Sequence, residues 1–146
     1  MKKIGIIPLR RDSKGIPRKN KKKMLGRPLF LWVLTEAIFS DLDAVCVFTN
    51  DEEIIQFINK EYHWTPKVYA LLRDEENAND SASTESVLLE FSEKIKYDFD
   101  VLCLLQATSP FTLASDINQT LSKVSGNEYD SALTVVNTHR FCWNTD

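Results

Sequence analysis

The sequence lacks the features that mark membrane-spanning, secreted and disulfide- or zinc-stabilised proteins. No apolar run approaches the roughly 18 residues that span a bilayer, so we expect no membrane association. The apolar stretch after Lys3 is too short for the core of a signal peptide, and we therefore expect a cytoplasmic protein. The three cysteines stand far apart, at Cys46, Cys103 and Cys142, which argues against a disulfide framework and a zinc site.

What remains is the composition of one ordinary globular domain. The chain has 146 residues, of which 43% are hydrophobic and 27% are charged. Residues 1–146 are therefore interpreted as a single domain with a core of its own. Cys46 and Cys103 lie in apolar runs of strand type, where a free cysteine behaves as a small buried hydrophobe.

The positive charge is concentrated at one end of the chain. Residues 1–27 hold eleven of the eighteen Lys and Arg residues and a single acid, Asp12, although the whole chain has a net charge of −3. Such a focus attracts a polyanion, which can be nucleic acid, a membrane surface or a nucleoside triphosphate. A solvated basic face is the alternative that charge alone leaves open.

The apolar pattern predicts strands alternating with helices along the whole chain. Strands are predicted at residues 3–9, 44–48, 67–72, 101–105 and 132–136, and helices at 28–40, from 49 onward, at 84–95 and around 117–124. Pro28 is expected to open the first helix, and Thr49 and Glu52 have the spacing of a capping box for the second. This order predicts a doubly wound α/β fold, with a mainly parallel sheet and helices on both faces. Ligands of such sheets bind at the carboxyl ends of the strands.

Three polar loops follow predicted strands at that edge. The loop at residues 8–20 is rich in Lys and Arg and contains Gly15, which suits a polyphosphate, although a solvated surface loop is equally compatible. In the loop at residues 71–84, Arg73 ends a strand and hydroxyl residues lead into a helix, where they can cap the helix or cradle a ligand. In the loop at residues 104–111, Gln106 can read a base or a sugar, or the segment can be a simple turn closed by Pro110.

Taken together, the three loops resemble those of a known family. The pattern R-x-x-S-K-G-I-P-x-K-N, then an Arg before an acidic loop that ends D-S-A-S-T, then Q-A-T-S-P, is similar to the N-acylneuraminate cytidylyltransferases. The segment at residues 129–143 also looks like animal members of that family. The resemblance covers the whole chain.

The resemblance implies a fold, a reaction and a set of site residues. The fold would be Rossmann-like, and CMP would pass from CTP to a nine-carbon acidic sugar, with Mg²⁺ as cofactor and a homodimer as the active form. Arg10 and Lys19 would act in catalysis by neutralising the triphosphate. Nucleotide contacts would come from Arg10, Ser13, Lys19, Asn20, Arg73, Ala82, Thr84 and Gln106.

Two departures from the family pattern are expected to matter. Arg11 and Asp12 stand before Ser13, where Gly-Gly or a similar pair is usual, so we expect a stiffer loop. The sequence stops at Asp146, whereas family members continue and supply metal ligands, most of the sugar pocket and the dimer contacts later in the chain. No metal ligand is therefore assigned, and a noncatalytic nucleotide-binding fragment or remnant is the alternative.

The remaining alternatives concern the partner. A nucleic-acid-binding surface usually interleaves aromatic side chains with its basic ones, but residues 10–27 contain no aromatic residue. We therefore expect no nucleic acid partner. The sequence leaves the acidic sugar open among sialic, legionaminic and pseudaminic acids and the eight-carbon acid Kdo.

Overall fold

A parallel sheet flanked by helices forms the framework of the chain. A computed structural model describes residues 1–13, 15–79, 81–126 and 129–137. In chain order the elements are β1 (Lys3–Leu9), β2 (Lys23–Met24), β3 (Arg27–Pro28), α1 (Leu29–Phe39), β4 (Ala44–Thr49), α2 (Glu52–Glu61), β5 (Val68–Leu72), α3 (Thr84–Lys94), β6 (Val101–Leu104) and α4 (Ala114–Ser125). Two short 3-10 turns, Lys19–Lys21 and Glu75–Asn77, lie in the loops after β1 and β5.

The main sheet has the strand order β5-β4-β1-β6, and every neighbouring pair is parallel. From β1 the chain steps outward to β4 and β5 and then returns to the other side of β1 as β6. The direction of winding therefore reverses between β1 and β6, which is where doubly wound sheets place their ligand cleft. The predicted fold class is confirmed.

The side chains of the central strands alternate between two apolar layers. Ile7, Leu9, Val45 and Val47 face the layer covered by α1, α2 and α4. The opposite layer joins Ile4, Ile6, Cys46 and Phe48 to Val87 and Phe91 of α3. Helices thus cover both faces, as predicted, and the strands read as apolar runs because both of their faces are buried. Cys46 is buried and Cys103 half-buried, whereas Cys142 lies outside the described residues.

The predicted strand at residues 132–136 is wrong. The segment forms no strand with any of the residues that the structure describes, and Leu133, Val135 and Val136 are 78%, 82% and 84% exposed. It lies beside β6, where the two border a cavity of about 610 Å³. Its β-branched residues favour an extended chain, but a strand also requires ladder hydrogen bonds, which local preference does not supply.

Two predicted helix starts also need correction. Thr49 does not cap α2, because β4 runs on through Thr49. Asp51 is the cap, and its carboxylate accepts a hydrogen bond from the Glu53 amide at 3.1 Å. Pro28 precedes the first turn of α1 instead of forming part of it, a shift of one residue that is ordinary at helix ends. None of the described helices is long and apolar enough to cross a membrane.

Candidate functional site

A cleft of about 390 Å³ opens at the carboxyl ends of β1, β5 and β6, beside the point where the winding of the sheet reverses. Its volume lies within the range of small-molecule sites. All eight residues predicted to contact a nucleotide line it: Arg10, Ser13, Lys19, Asn20, Arg73, Ala82, Thr84 and Gln106. These residues are up to 96 positions apart in the sequence, and the parallel sheet brings their loops to one edge.

The loop after β1 is pinned to the body of the protein by amide side chains. Asn20 is buried, and its Nδ2 donates to the Arg10 carbonyl at 3.0 Å. The Arg11 amide donates to Oδ1 of Asn50, which directly follows β4, at 2.8 Å. The two bonds hold the C=O and the N–H of the peptide group between Arg10 and Arg11, and so help to fix where the Arg10 side chain begins.

Lys21 acts as a tether for the same loop. Its ammonium lies 2.7 Å from Oδ2 of Asp51, whose side chain is 3% exposed, and 2.7 Å from Oε2 of Glu53. Burial lowers the pKa of Lys21, but its hydrogen bonds and charge attraction to the two carboxylates outweigh burial and raise the pKa overall. Lys21 is therefore held by α2, while Lys19 of the same 3-10 turn faces the cleft.

Arg73 enters the cleft from the end of β5. The residue is 6% exposed, and its Nη2 donates to the Asn77 carbonyl. Its Nε is buried and has no hydrogen-bond partner among the described residues. Burial lowers the pKa of the guanidinium, the charge of Glu90 opposes that change, and the charge of Arg10 adds to it. An unsatisfied buried donor is costly, so this side chain is suited to an additional acceptor.

The start of α3 forms another wall. Oδ1 of Asn79 accepts hydrogen bonds from the amides of Ser81 and Ala82, each at 2.9 Å. Ser83 caps the helix, since its hydroxyl accepts from the Ser86 amide at 3.0 Å, and it also lines the cleft with Thr84. The helix start can therefore serve both as a capped end and as a positive end facing an anion.

The loop after β6 contributes Gln106, Ala107 and Thr108. Its position is set by the Leu105 amide, which donates to the Ile6 carbonyl of β1 at 2.9 Å, and by a turn in which the Ser109 amide donates to the Gln106 carbonyl at 3.0 Å. Gln106 lines both the cleft and the 610 Å³ cavity beside β6. Its side chain thus stands at the boundary between two adjoining spaces.

Asn50 connects two of the loops and was missed in the sequence. It is 5% exposed, and besides accepting from Arg11 it donates from Nδ2 to Oε2 of Glu75 at 3.0 Å. Arg11 lies 3.6 Å from the other oxygen of Glu75. Arg11 therefore connects the first loop to the second, and the stiffer loop stays a prediction. The available signal for Asn50 was its position directly after β4, at the end of the sheet where ligands bind.

The cleft is cationic. Arg10, Lys19 and Arg73 line it, and its described lining contains no carboxylate. In the described ranges no three His, Cys, Asp or Glu side chains converge as a metal site. Since Mg²⁺ is usually held by one or two carboxylates together with substrate phosphates, the described lining fits a polyphosphate better than a metal ion held by the protein itself.

The fold and the cleft define a class of protein. A doubly wound parallel sheet with a cationic cleft at the reversal of its winding is the arrangement of nucleotide-binding α/β proteins. The sequence profile of one family within that class, described as cytidylyltransferase, matches residues 4–144. The chain belongs to the cytidylyltransferase family.

Curated relatives carry the same designation. N-acylneuraminate cytidylyltransferase B of Danio rerio is 38% identical over 141 residues, which is 97% of this chain and 32% of the relative. Pseudaminic acid cytidylyltransferase of Campylobacter jejuni is 34% identical over 132 residues, covering 88% of this chain and 55% of the relative. The chain thus spans about a third to a half of the length of these relatives.

A solved structure supports the fold. CMP:2-keto-3-deoxy-manno-octonic acid synthetase, complexed with CTP, superposes with a TM-score of 0.73 at 22% identity, covering 88% of this chain and 49% of the synthetase. At this level of identity the likeness extends to the fold alone.

Proposed function

We propose that the cleft binds CTP, and that the protein transfers CMP from CTP to an acidic sugar of the sialic acid type. The observation that carries the proposal is the convergence of all eight predicted nucleotide contacts, including three cations, in one cleft at the switch point of the sheet. Membership of the cytidylyltransferase family supports a cytidine nucleotide as the ligand. The names of the relatives support an acidic sugar, sialic or pseudaminic acid, as the acceptor.

The reaction would use the cleft mainly for positioning and charge stabilisation. The anomeric hydroxyl oxygen of the sugar attacks the α-phosphorus of CTP, its proton is released, and the bond to pyrophosphate breaks. Arg10 and Lys19 neutralise the charge that moves onto the leaving group. Arg73 orients the nucleotide, and Gln106, at the boundary of the two cavities, orients the ribose and the sugar.

Mg²⁺ enters this proposal with the nucleotide. Its chemistry in such a transfer is to neutralise phosphate oxygens, and the triphosphate can carry the ion, because the described lining of the cleft has no carboxylate for it. A cytoplasmic location and a homodimer stay predictions, the first from the sequence and the second from the resemblance.

A second candidate is a noncatalytic nucleotide-binding unit. It is favoured by the lining of the cleft, in which the described residues supply cations for a nucleotide and no carboxylate. The two candidates share the CTP site and differ in turnover.

Turnover separates them. With CTP, Mg²⁺ and, in separate reactions, sialic, legionaminic or pseudaminic acid or Kdo, we expect this chain to form CMP-sugar far more slowly than the Danio rerio enzyme, because the described lining of its cleft has no carboxylate to hold the metal. CMP-sugar is measured by chromatography and pyrophosphate by a coupled assay. The sugar that is accepted identifies the substrate. A rate equal to that of the Danio rerio enzyme would show that residues 1–146 form a complete site.

A further inference from the structure

A buried carboxylate on α3 has no role in the site as described so far. Glu90 is 7% exposed and lies on the same helix as the core residues Val87 and Phe91. Burying a carboxylate is costly unless hydrogen bonds and opposite charge compensate it. An apolar side chain at this position would avoid that cost, so the carboxylate requires an explanation.

The partners of Glu90 lie in the loop that follows Arg73. Its Oε1 accepts from the Asp74 amide at 2.7 Å, and its Oε2 accepts from Nδ2 of Asn77 at 2.9 Å. Asp74 precedes the 3-10 turn Glu75–Asn77, and Asn77 ends it. One carboxylate therefore holds both ends of the turn.

The same turn holds Arg73. The carbonyl of Asn77 accepts from Nη2 of Arg73, so the contacts run from Glu90 through Asn77 to a guanidinium that lines the cleft. The Nε of that guanidinium is buried without a partner among the described residues. Nothing in the apolar packing of α3 requires this chain of contacts.

Charge gives Glu90 a second effect on Arg73. Arg73 and Arg10 line the same cleft. Besides burial, the positive charge of Arg10 lowers the pKa of Arg73, whereas the negative charge of Glu90 raises it. The Lys94 ammonium lies 3.4 Å from Oε1 of Glu90, but it lies closer, at 2.7 Å, to the Asp74 carboxylate. The positive charge of Lys94 is therefore divided between the two carboxylates. In the ligand-free protein Glu90 thus offsets the repulsion between the two arginines.

We propose that Glu90 is a positioning residue of the nucleotide cleft, which holds the turn Glu75–Asn77 and, through it, the Arg73 guanidinium where an anionic group of CTP meets it. This inference rests on the proposed function. Removing one partner of a buried, hydrogen-bonded charge destabilises the fold, and a purely structural role of Glu90 would end there. A positioning role predicts, in addition, a change in the position of Arg73 and a loss of CTP affinity.

The test combines a signal from Arg73 with CTP binding. The ¹⁵N–¹H resonance of Arg73 Nε, assigned with Arg73→Lys, is recorded without ligand in the wild type, Glu90→Leu and Glu90→Gln. Glu93→Gln, at an exposed position of the same helix, is the control. In Glu90→Leu we expect this resonance to shift and its hydrogen to exchange faster with water. CTP affinity by calorimetry should fall about tenfold or more, the size of one charge-assisted hydrogen bond.

Glu90→Gln keeps one acceptor oxygen, so it should give a smaller change in the same direction and is the deciding variant if Glu90→Leu does not fold. An unchanged Arg73 resonance and unchanged CTP affinity in a folded Glu90 variant would overturn the proposal, as would equal losses in Glu93→Gln. A wild-type chain that binds no nucleotide overturns the proposed function instead. The ligand-free resonance then decides alone whether Glu90 holds Arg73.

Discussion

Arg10→Ala should weaken CTP binding about 10- to 100-fold, the equivalent of roughly 1.5–3 kcal/mol for hydrogen bonds to a charged group. Binding of CMP should fall much less. The reason is the position of Arg10, which lies directly after β1 in a cationic cleft and is assigned to the phosphates that CMP lacks. Arg10→Lys should restore only part of the affinity, because the planar fork that binds phosphate at two points is lost. Titration calorimetry with both nucleotides measures the difference.

Arg18→Ala is the matched control for this result. Arg18 belongs to the same loop and carries the same charge, but its side chain is exposed and does not line the cleft. It should change CTP affinity little and only through long-range attraction, which added salt screens. Equal losses of CTP and CMP affinity in Arg10→Ala would show that Arg10 does not contact the triphosphate. An equal loss of CTP affinity in Arg18→Ala would show the same.

Phe91→Ala should lower the free energy of unfolding by about 3–5 kcal/mol. The Phe91 ring is fully buried and packs edge-on against Phe48, with the ring centroids 5.5 Å apart. This contact joins α3 to β4, so its loss leaves a cavity in the smaller of the two apolar layers. Denaturant unfolding followed by circular dichroism measures the change.

Leu89→Ala is the control on the same helix, because Leu89 is 49% exposed. Its effect should be about 0.5 kcal/mol or less, as is usual at the surface. A loss below about 1 kcal/mol for Phe91→Ala would mean that α3 is not held to the sheet as described, since the full range for such substitutions is several times larger.

Much of the fold could be predicted because its elements follow local rules. β1, β4, β5 and β6 are apolar runs bounded by polar loops, and burial on both faces of a parallel sheet produces that pattern. The place of the cleft followed from topology alone, since residues after parallel strands meet at one edge. Arg10, Arg73 and Gln106 each come one or two residues after a strand, which is why their loops could be grouped from the sequence.

What could not be predicted depends on tertiary contacts. The segment at residues 132–136 has the composition of a strand but lacks the pairing that makes one. Thr49 has the spacing of a capping box in the sequence, but β4 extends through Thr49, and Asp51 is the residue that caps α2. Glu90 looks like one more charge on a helix surface, and only the fold of the loop at residues 74–79 shows why it is buried.

The central claim is that this cleft recognises CTP, and ligand-induced stabilisation tests it most directly. The unfolding midpoint is measured with Mg²⁺ and CTP, ATP or GTP at equal concentrations, and the dissociation constants are then obtained by calorimetry. We expect CTP to stabilise the chain clearly more than the two purine nucleotides do. At about 100 times its dissociation constant, CTP should add about 2.7 kcal/mol relative to the ligand-free chain. Equal stabilisation by all three nucleotides would contradict the assignment of the base, and no stabilisation by any of them would contradict the nucleotide site itself.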